Sequence, residues 1–100
     1  MKKDIFKAIA DPTRRAILMM LAKECLNLNA VAGNFNISRP AISKHIKILI
    51  ECGLVEVEQQ GRDRYCKARP DKLDEVLAWI SEYRVFSDEQ SHGFYFQRKD

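Results

Sequence analysis

Residues 38–47 read Ser-Arg-Pro-Ala-Ile-Ser-Lys-His-Ile-Lys, and their polar members have the chemistry to grip a nucleic acid. The fork of donors on Arg39 matches the O6/N7 edge of a guanine, a contact worth about 1–3 kcal/mol of discrimination. Ser38 and Ser43 add hydroxyls, and Lys44 and Lys47 add point charges. Ile42, Ile46 and Leu49 recur at helical spacing and claim one face for a core. Arg39, Pro40, Ser43, Lys44 and Lys47 are thereby left on the other faces. Ser38, Arg39, Ser43 and Lys44 are expected nearest the bases, and Lys47 on a phosphate. His45 is left open between a backbone contact and a packed or solvent-facing position. Further on, Arg62 and Arg64 flank a turn and would straddle the adjacent minor groove, where narrow A/T-rich stretches attract arginine. The candidate DNA-binding set is thus Ser38, Arg39, Pro40, Ser43, Lys44, His45, Lys47, Arg62 and Arg64.

No comparable grouping suggests catalysis. The chain has two histidines, His45 and His92, and no glycine-rich phosphate loop, HExxH or GxSxG motif. Cys25, Cys52 and Cys66 are odd in number, widely spaced and lack CxxC spacing, which argues against a disulfide framework or a zinc finger. They read as small core or half-buried residues. A thiol sensor stays open beside that reading, and would require a cationic neighbour to lower a thiol pKa.

Composition sets the frame that must hold these residues. One hundred residues at 46% hydrophobic make one small domain with a modest core, a natural candidate for oligomerisation. The net charge is only +3, but it is unevenly spread. Residues 36–69 carry seven Lys/Arg against four acids, whereas residues 71–91 carry two against six. A basic middle facing phosphates and an acidic segment facing something else is the implied division. No apolar run approaches membrane-spanning length, and the N-terminus lacks a signal-peptide core. A cytoplasmic protein with no membrane insertion is expected.

The positioning elements follow from caps and periods. Asp4 to Ala10 forms a short first helix with Ile5, Phe6 and Ile9 on its apolar side. Asp11-Pro12 restarts the chain, Asp as N-cap and Pro at the first helical position. That second helix runs to about Lys23, with Ala16, Ile17, Met20 and Leu21 inward and Arg14 and Arg15 outside. A third helix spans about Leu28 to Phe35, capped by Asn27. Ser38 caps the fourth, which ends at Gly53. Leu54 to Glu58 then alternates as a half-buried strand, Gln60 to Asp63 turns, and Arg64 to Ala68 returns. Pro70-Asp71 opens a last helix through about Phe86. The fold class is therefore mainly α with a β-hairpin wing, a winged helix-turn-helix in the order ααααββα. One DNA-binding and dimerisation domain over 1–90 precedes a tail over 91–100 expected to be loosely ordered.

Leu73, Val76, Leu77 and Ile80 form one stripe of the last helix, and Trp79, Tyr83 and Phe86 widen it. Together they exceed the stripe of about 100° that one small core needs. A second copy would cover the surplus, giving a homodimer interface of Ile5, Phe6, Ile9, Leu73, Val76, Trp79, Ile80, Tyr83 and Phe86. Two-fold symmetry would set two reading helices in successive major grooves about 34–36 Å apart.

Four strings carry a resemblance: Ala8-Ile9-Ala10-Asp11-Pro12-Thr13-Arg14-Arg15-Ala16-Ile17-Leu18, the Ser38–Ile46 turn and helix, Gly53-Leu54-Val55, and Gly61-Arg62-Asp63-Arg64-Tyr65. In order along residues 5–86 they are similar to the ArsR/SmtB family of bacterial, dimeric winged-helix repressors. The resemblance implies tests for metal sensing. Where that family's commonest thiolate site has a Cys-x-Cys pair, this chain has Asn27 and Asn29, poor ligands for thiophilic metals. The other frequent site needs histidines on the last helix, and none occurs between Asp71 and Gln90. No metal or cofactor is expected. The Asp-Pro-Thr-Arg-Arg start and the Trp79-Ile80…Tyr83-Arg84…Phe86 pattern resemble the metal-independent branch, that of the sporulation-delaying-protein autorepressor. The resemblance to that branch implies that release often comes from sequestration by an anti-repressor protein, or from none at all.

The expected function is a homodimeric transcriptional repressor on an inverted repeat in promoter DNA, with double-stranded DNA as partner and no enzymatic activity. Two other classes remain: a metal- or thiol-responsive sensor of the same family, and a winged helix that docks protein. Arg39, Lys44 and Lys47 speak against the second.

Overall fold

The computed structural model describes residues 4–91, with side chains over 4–69 and 71–83. Each early helix starts on a side-chain cap that satisfies an otherwise orphan amide. In α1 (Ile5–Ala8) Asp4 accepts from the Phe6 N–H at 3.0 Å. In α2 (Pro12–Lys23) Asp11 accepts from the Arg14 N–H at 2.9 Å. A two-residue strand, β1 (Leu26–Asn27), leads into α3 (Leu28–Ala32), where Asn27 accepts from the Ala30 N–H at 2.8 Å. Ser38 caps α4 (Arg39–Glu51), accepting from the Ala41 N–H at 3.3 Å. Then follow β2 (Val55–Gln60), β3 (Asp63–Ala68), a 3₁₀ turn (Pro70–Leu73) and α5 (Asp74–Ser91). The order is the expected one, with β1 and the 3₁₀ turn added. Beyond Ser91, the expected tail lies outside the described residues.

Helix α4 stops because Gly53 takes φ +82°, a region other residues rarely adopt. The Leu54 N–H reaches the Leu49 carbonyl and the Gly53 N–H reaches that of Ile50, both at 3.0 Å, a Schellman closure. It turns the chain straight into β2. That strand pairs antiparallel with β3 from Val55↔Ala68 to Gln60↔Asp63. Gly61, at φ +63°, opens the two-residue loop between them with the sign a type II′ turn needs there. On the other edge of β3, Leu26 faces Cys66 and Asn27 faces Tyr65, giving the sheet order β1-β3-β2.

Ile17, Val31, Ile42, Leu49 and Leu54 are wholly buried at the centre, where α2, α3, α4 and the base of the hairpin meet. In α2 the inward face is rotated from the expected one. Leu18 is buried and Ala16 is exposed. The physical reason is that the larger side chain gains more from burial, and that Arg14 is drawn inward rather than left outside. Arg14 donates from Nε to the Ala8 carbonyl at 2.7 Å and from Nη2 to that of Lys7 at 3.2 Å. Arg15 donates from Nη1 to Ile9 at 2.9 Å and Ala10 at 3.2 Å. The last carbonyls of a one-turn helix have few backbone partners, and these two arginines add donors at the end of α1.

Candidate nucleic-acid interface

Burial of Ile42, Ile46 and Leu49 on one side of α4 leaves Arg39, Pro40, Ser43, Lys44 and Lys47 exposed on the rest. Ser38, also exposed, spends its oxygen on the helix cap and keeps a hydroxyl proton to donate. His45 does not join this row. Its side chain is 22% exposed, and Nδ1 lies 3.2 Å from Arg14 Nη1 and 3.9 Å from Asp11 Oδ2. The packed alternative is the observed one for this residue.

The hairpin folds back beside α4. Arg39, Arg62 and Arg64 line one shallow groove of about 250 Å³, together with Asn27, Asn29 and Asp63. Ser43, Lys47 and Arg64 border a second of about 250 Å³, whose floor is Leu28, Ile46, Ile50 and Val57. Arg64 belongs to both, so helix and wing form one continuous surface. Arg39, Ser43, Lys47, Arg62 and Arg64 are thus brought together, whereas Ser38, Pro40 and Lys44 stand on the helix outside these grooves.

Charge sharpens the division. Lys67 and Arg69 are engaged by Glu56, at 3.8 Å and 2.7 Å, and Arg69 also lies 3.5 Å from Asp71. The Glu56 hydrogen bond pushes the Arg69 pKa further up. Among the described residues, Arg39, Lys44, Lys47, Arg62 and Arg64 make no ion pair. Five side chains on α4 and the wing thus carry positive charge with no ion pair among the described residues, and an external polyanion would neutralise it.

The position aligned by resemblance with a metal thiolate, Asn27, serves as the α3 cap. Among the described residues no three or more His, Cys, Asp or Glu side chains gather as a metal site would require. Cys52 and Cys66 are buried and Cys25 is exposed. Burial pushes the Cys66 thiol up, only partly offset by Arg64, which disfavours the reactive thiolate. None of the described helices is long and apolar enough to cross a membrane.

On α5, Trp79, Ile80 and Tyr83 are exposed, as is Phe6 on α1. Phe6 and Trp79 meet in a T-shaped contact with centroids 6.0 Å apart, and Trp79 stacks on Tyr83 at 6.0 Å. Ile5, Ile9 and Leu73 instead pack against the chain's own core, and Val76 is half-buried. The side chain of Phe86 lies outside the described residues. Sequence reasoning missed Leu77, 59% exposed on α5, because it assigned Leu77 to the core stripe. It also missed Arg14, for which the Asp-Pro-Thr-Arg-Arg string was the available signal.

A family model described as bacterial regulatory protein, arsR family, matches residues 11–57. The transcriptional repressor SdpR of Bacillus subtilis is 35% identical over 77 residues, covering 77% of this chain and 86% of that protein. The crystal structure of an ArsR family transcriptional regulator superposes with a TM-score of 0.74 at 35% identity, covering 82% of this chain and 90% of the other. An ArsR-like transcriptional regulator from Rhodococcus gives 0.73 at 30% identity, with 86% and 81% covered.

Proposed function

The chain belongs to the arsR family of bacterial regulatory proteins and is a winged-helix DNA-binding transcriptional regulator, and we propose that it acts as a homodimeric repressor on an inverted repeat in promoter DNA. Helix α4 enters the major groove with Ser38, Arg39, Ser43 and Lys44 nearest the bases, Pro40 at its leading end and Lys47 on a phosphate. Arg62 and Arg64 reach the adjacent minor groove. The observation that carries this reading is the cluster of four cations, Arg39, Lys47, Arg62 and Arg64, without an ion pair among the described residues, on one continuous helix-and-wing surface, with Lys44 exposed on the same helix. The exposed face of Phe6, Leu77, Trp79, Ile80 and Tyr83 supports a two-fold dimer, which would bury it against its own copy. The protein then works in the cytoplasm by occluding polymerase. The same cations give an acidic anti-repressor protein a surface to cover, the form of release carried by this reading.

Footprinting on the DNA upstream of its own gene tests the arrangement. Two protected half-sites with centres about 10 bp apart, or a multiple of that spacing, are expected from a dimer on successive grooves. Protection of one half-site alone would rule out the two-fold geometry.

A further inference from the structure

We infer that Arg14 is a positioning residue for DNA recognition, fixing the set of α4 by joining the α1–α2 corner to His45. The inference rests on α4 being the reading helix. One guanidinium spans three acceptors: the Ala8 carbonyl at 2.7 Å, the Lys7 carbonyl at 3.2 Å and His45 Nδ1 at 3.2 Å. Two of these close the end of α1, and the third lies 31 residues along the chain on α4. Arginine has donors only, so a hydrogen bond here requires a lone pair on Nδ1, which is the neutral Nε2–H tautomer of His45. Asp11 holds the same corner from below, accepting from the Arg14 N–H at 2.9 Å while its Oδ2 lies 3.9 Å from His45 Nδ1. The neighbouring Arg15 also caps α1, on Ile9 and Ala10, but among the described residues makes no hydrogen bond to α4, and so serves as an internal control.

The bridge has two consequences. His45 lies within two residues of Ser43, Lys44 and Lys47, so a rotation of α4 released at His45 would carry the exposed row with it. Helix α1 bears Phe6, whose ring meets Trp79 on α5. Arg14 therefore ties the α1–α5 face to the DNA-facing helix through contiguous contacts. Lysine cannot replace it, because a single ammonium lacks the planar fork that serves three directions at once.

The test compares Arg14→Gln, Arg14→Lys, Arg15→Gln and His45→Ala with the native chain. Selectivity is read as the ratio of operator to scrambled-duplex affinity over a salt series, alongside ¹⁵N NMR of the His45 ring without DNA. Both Arg14 variants are expected to lose about tenfold in selectivity, the size of one lost hydrogen bond to a charged group, with an unchanged salt slope. Arg15→Gln should keep native selectivity. Arg14→Gln combined with His45→Ala should cost no more than either alone, the signature of a shared interaction. The native ring should show the Nε2–H tautomer, perturbed in Arg14→Gln. A salt slope reduced by about one unit per copy would make Arg14 a phosphate contact and overturn the inference. So would full selectivity in Arg14→Lys, or a His45 ring indifferent to Arg14. If the native protein lacks selective binding, the DNA role of Arg14 falls with the proposed function, while the NMR reading still reports whether the bridge exists.

Discussion

Replacing Lys47 by alanine probes the difference between a cation without an internal partner and a paired one. Lys47 is exposed on α4 beside Arg64, and no acid engages it among the described residues. If each copy places it on one phosphate, the log–log salt slope loses about 0.9 per copy and about 1.8 per dimer. Between about 50 and about 200 mM salt, a fourfold range, the native protein then loses about 12-fold more affinity than the variant. Arg69→Ala is the matched control, because its guanidinium is already held by Glu56 at 2.7 Å and lies 3.5 Å from Asp71. Fluorescence anisotropy with operator and scrambled duplexes reads both slopes. Lys47→Ala should reduce the slope equally on the two duplexes, since phosphate contacts carry no sequence information. An unchanged slope for Lys47→Ala, or an equal reduction for Arg69→Ala, would refute the charge assignment.

Leu49→Ala, at a wholly buried position of α4, should cost about 2–5 kcal/mol of unfolding free energy by chemical denaturation; a loss below about 1 kcal/mol would mean the core has been misplaced. Leu77→Glu puts a charge on the exposed α5 face and should shift sedimentation equilibrium toward monomer without loss of helix content, so a variant still dimeric would move the interface elsewhere. Asp11→Ala removes a helix cap and should cost about 1 kcal/mol at neutral pH. The Arg14 backbone N–H holds the Asp11 carboxyl below its ordinary value. Its stabilisation is therefore present above the unfolded-state pKa and lost as pH falls through the lower folded-state one. The gap between native and variant should narrow in acid, and a constant gap would contradict that cause.

The elements with local signals were legible in the sequence. Asp11-Pro12 and Ser38 mark helix starts by their own chemistry, and Ile42, Ile46 and Leu49 mark the buried face of α4 by spacing alone. Gly53 and Gly61 sit where the backbone takes positive φ, so the change of period and the hairpin were also readable. Strand β1 was not, because Leu26 and Asn27 form no pattern and become a strand only by pairing with Cys66 and Tyr65. The candidate site shows the same divide. A count of cations treats Arg69 like Arg39, yet the hairpin register sets Glu56 opposite Lys67 and within reach of Arg69, removing both from the free charge. The inward turn of Arg14 toward His45 is likewise tertiary, since it depends on how α1, α2 and α4 pack.

The central claim is selective DNA binding through α4 and the wing, and the most direct measurement is anisotropy of the native protein on its own upstream DNA against a scrambled duplex across a salt series. Tight binding to the upstream DNA that weakens steeply with salt, at an affinity at least about 10³ above the scrambled sequence, is the predicted result. Equal binding to both duplexes at every salt concentration would contradict it.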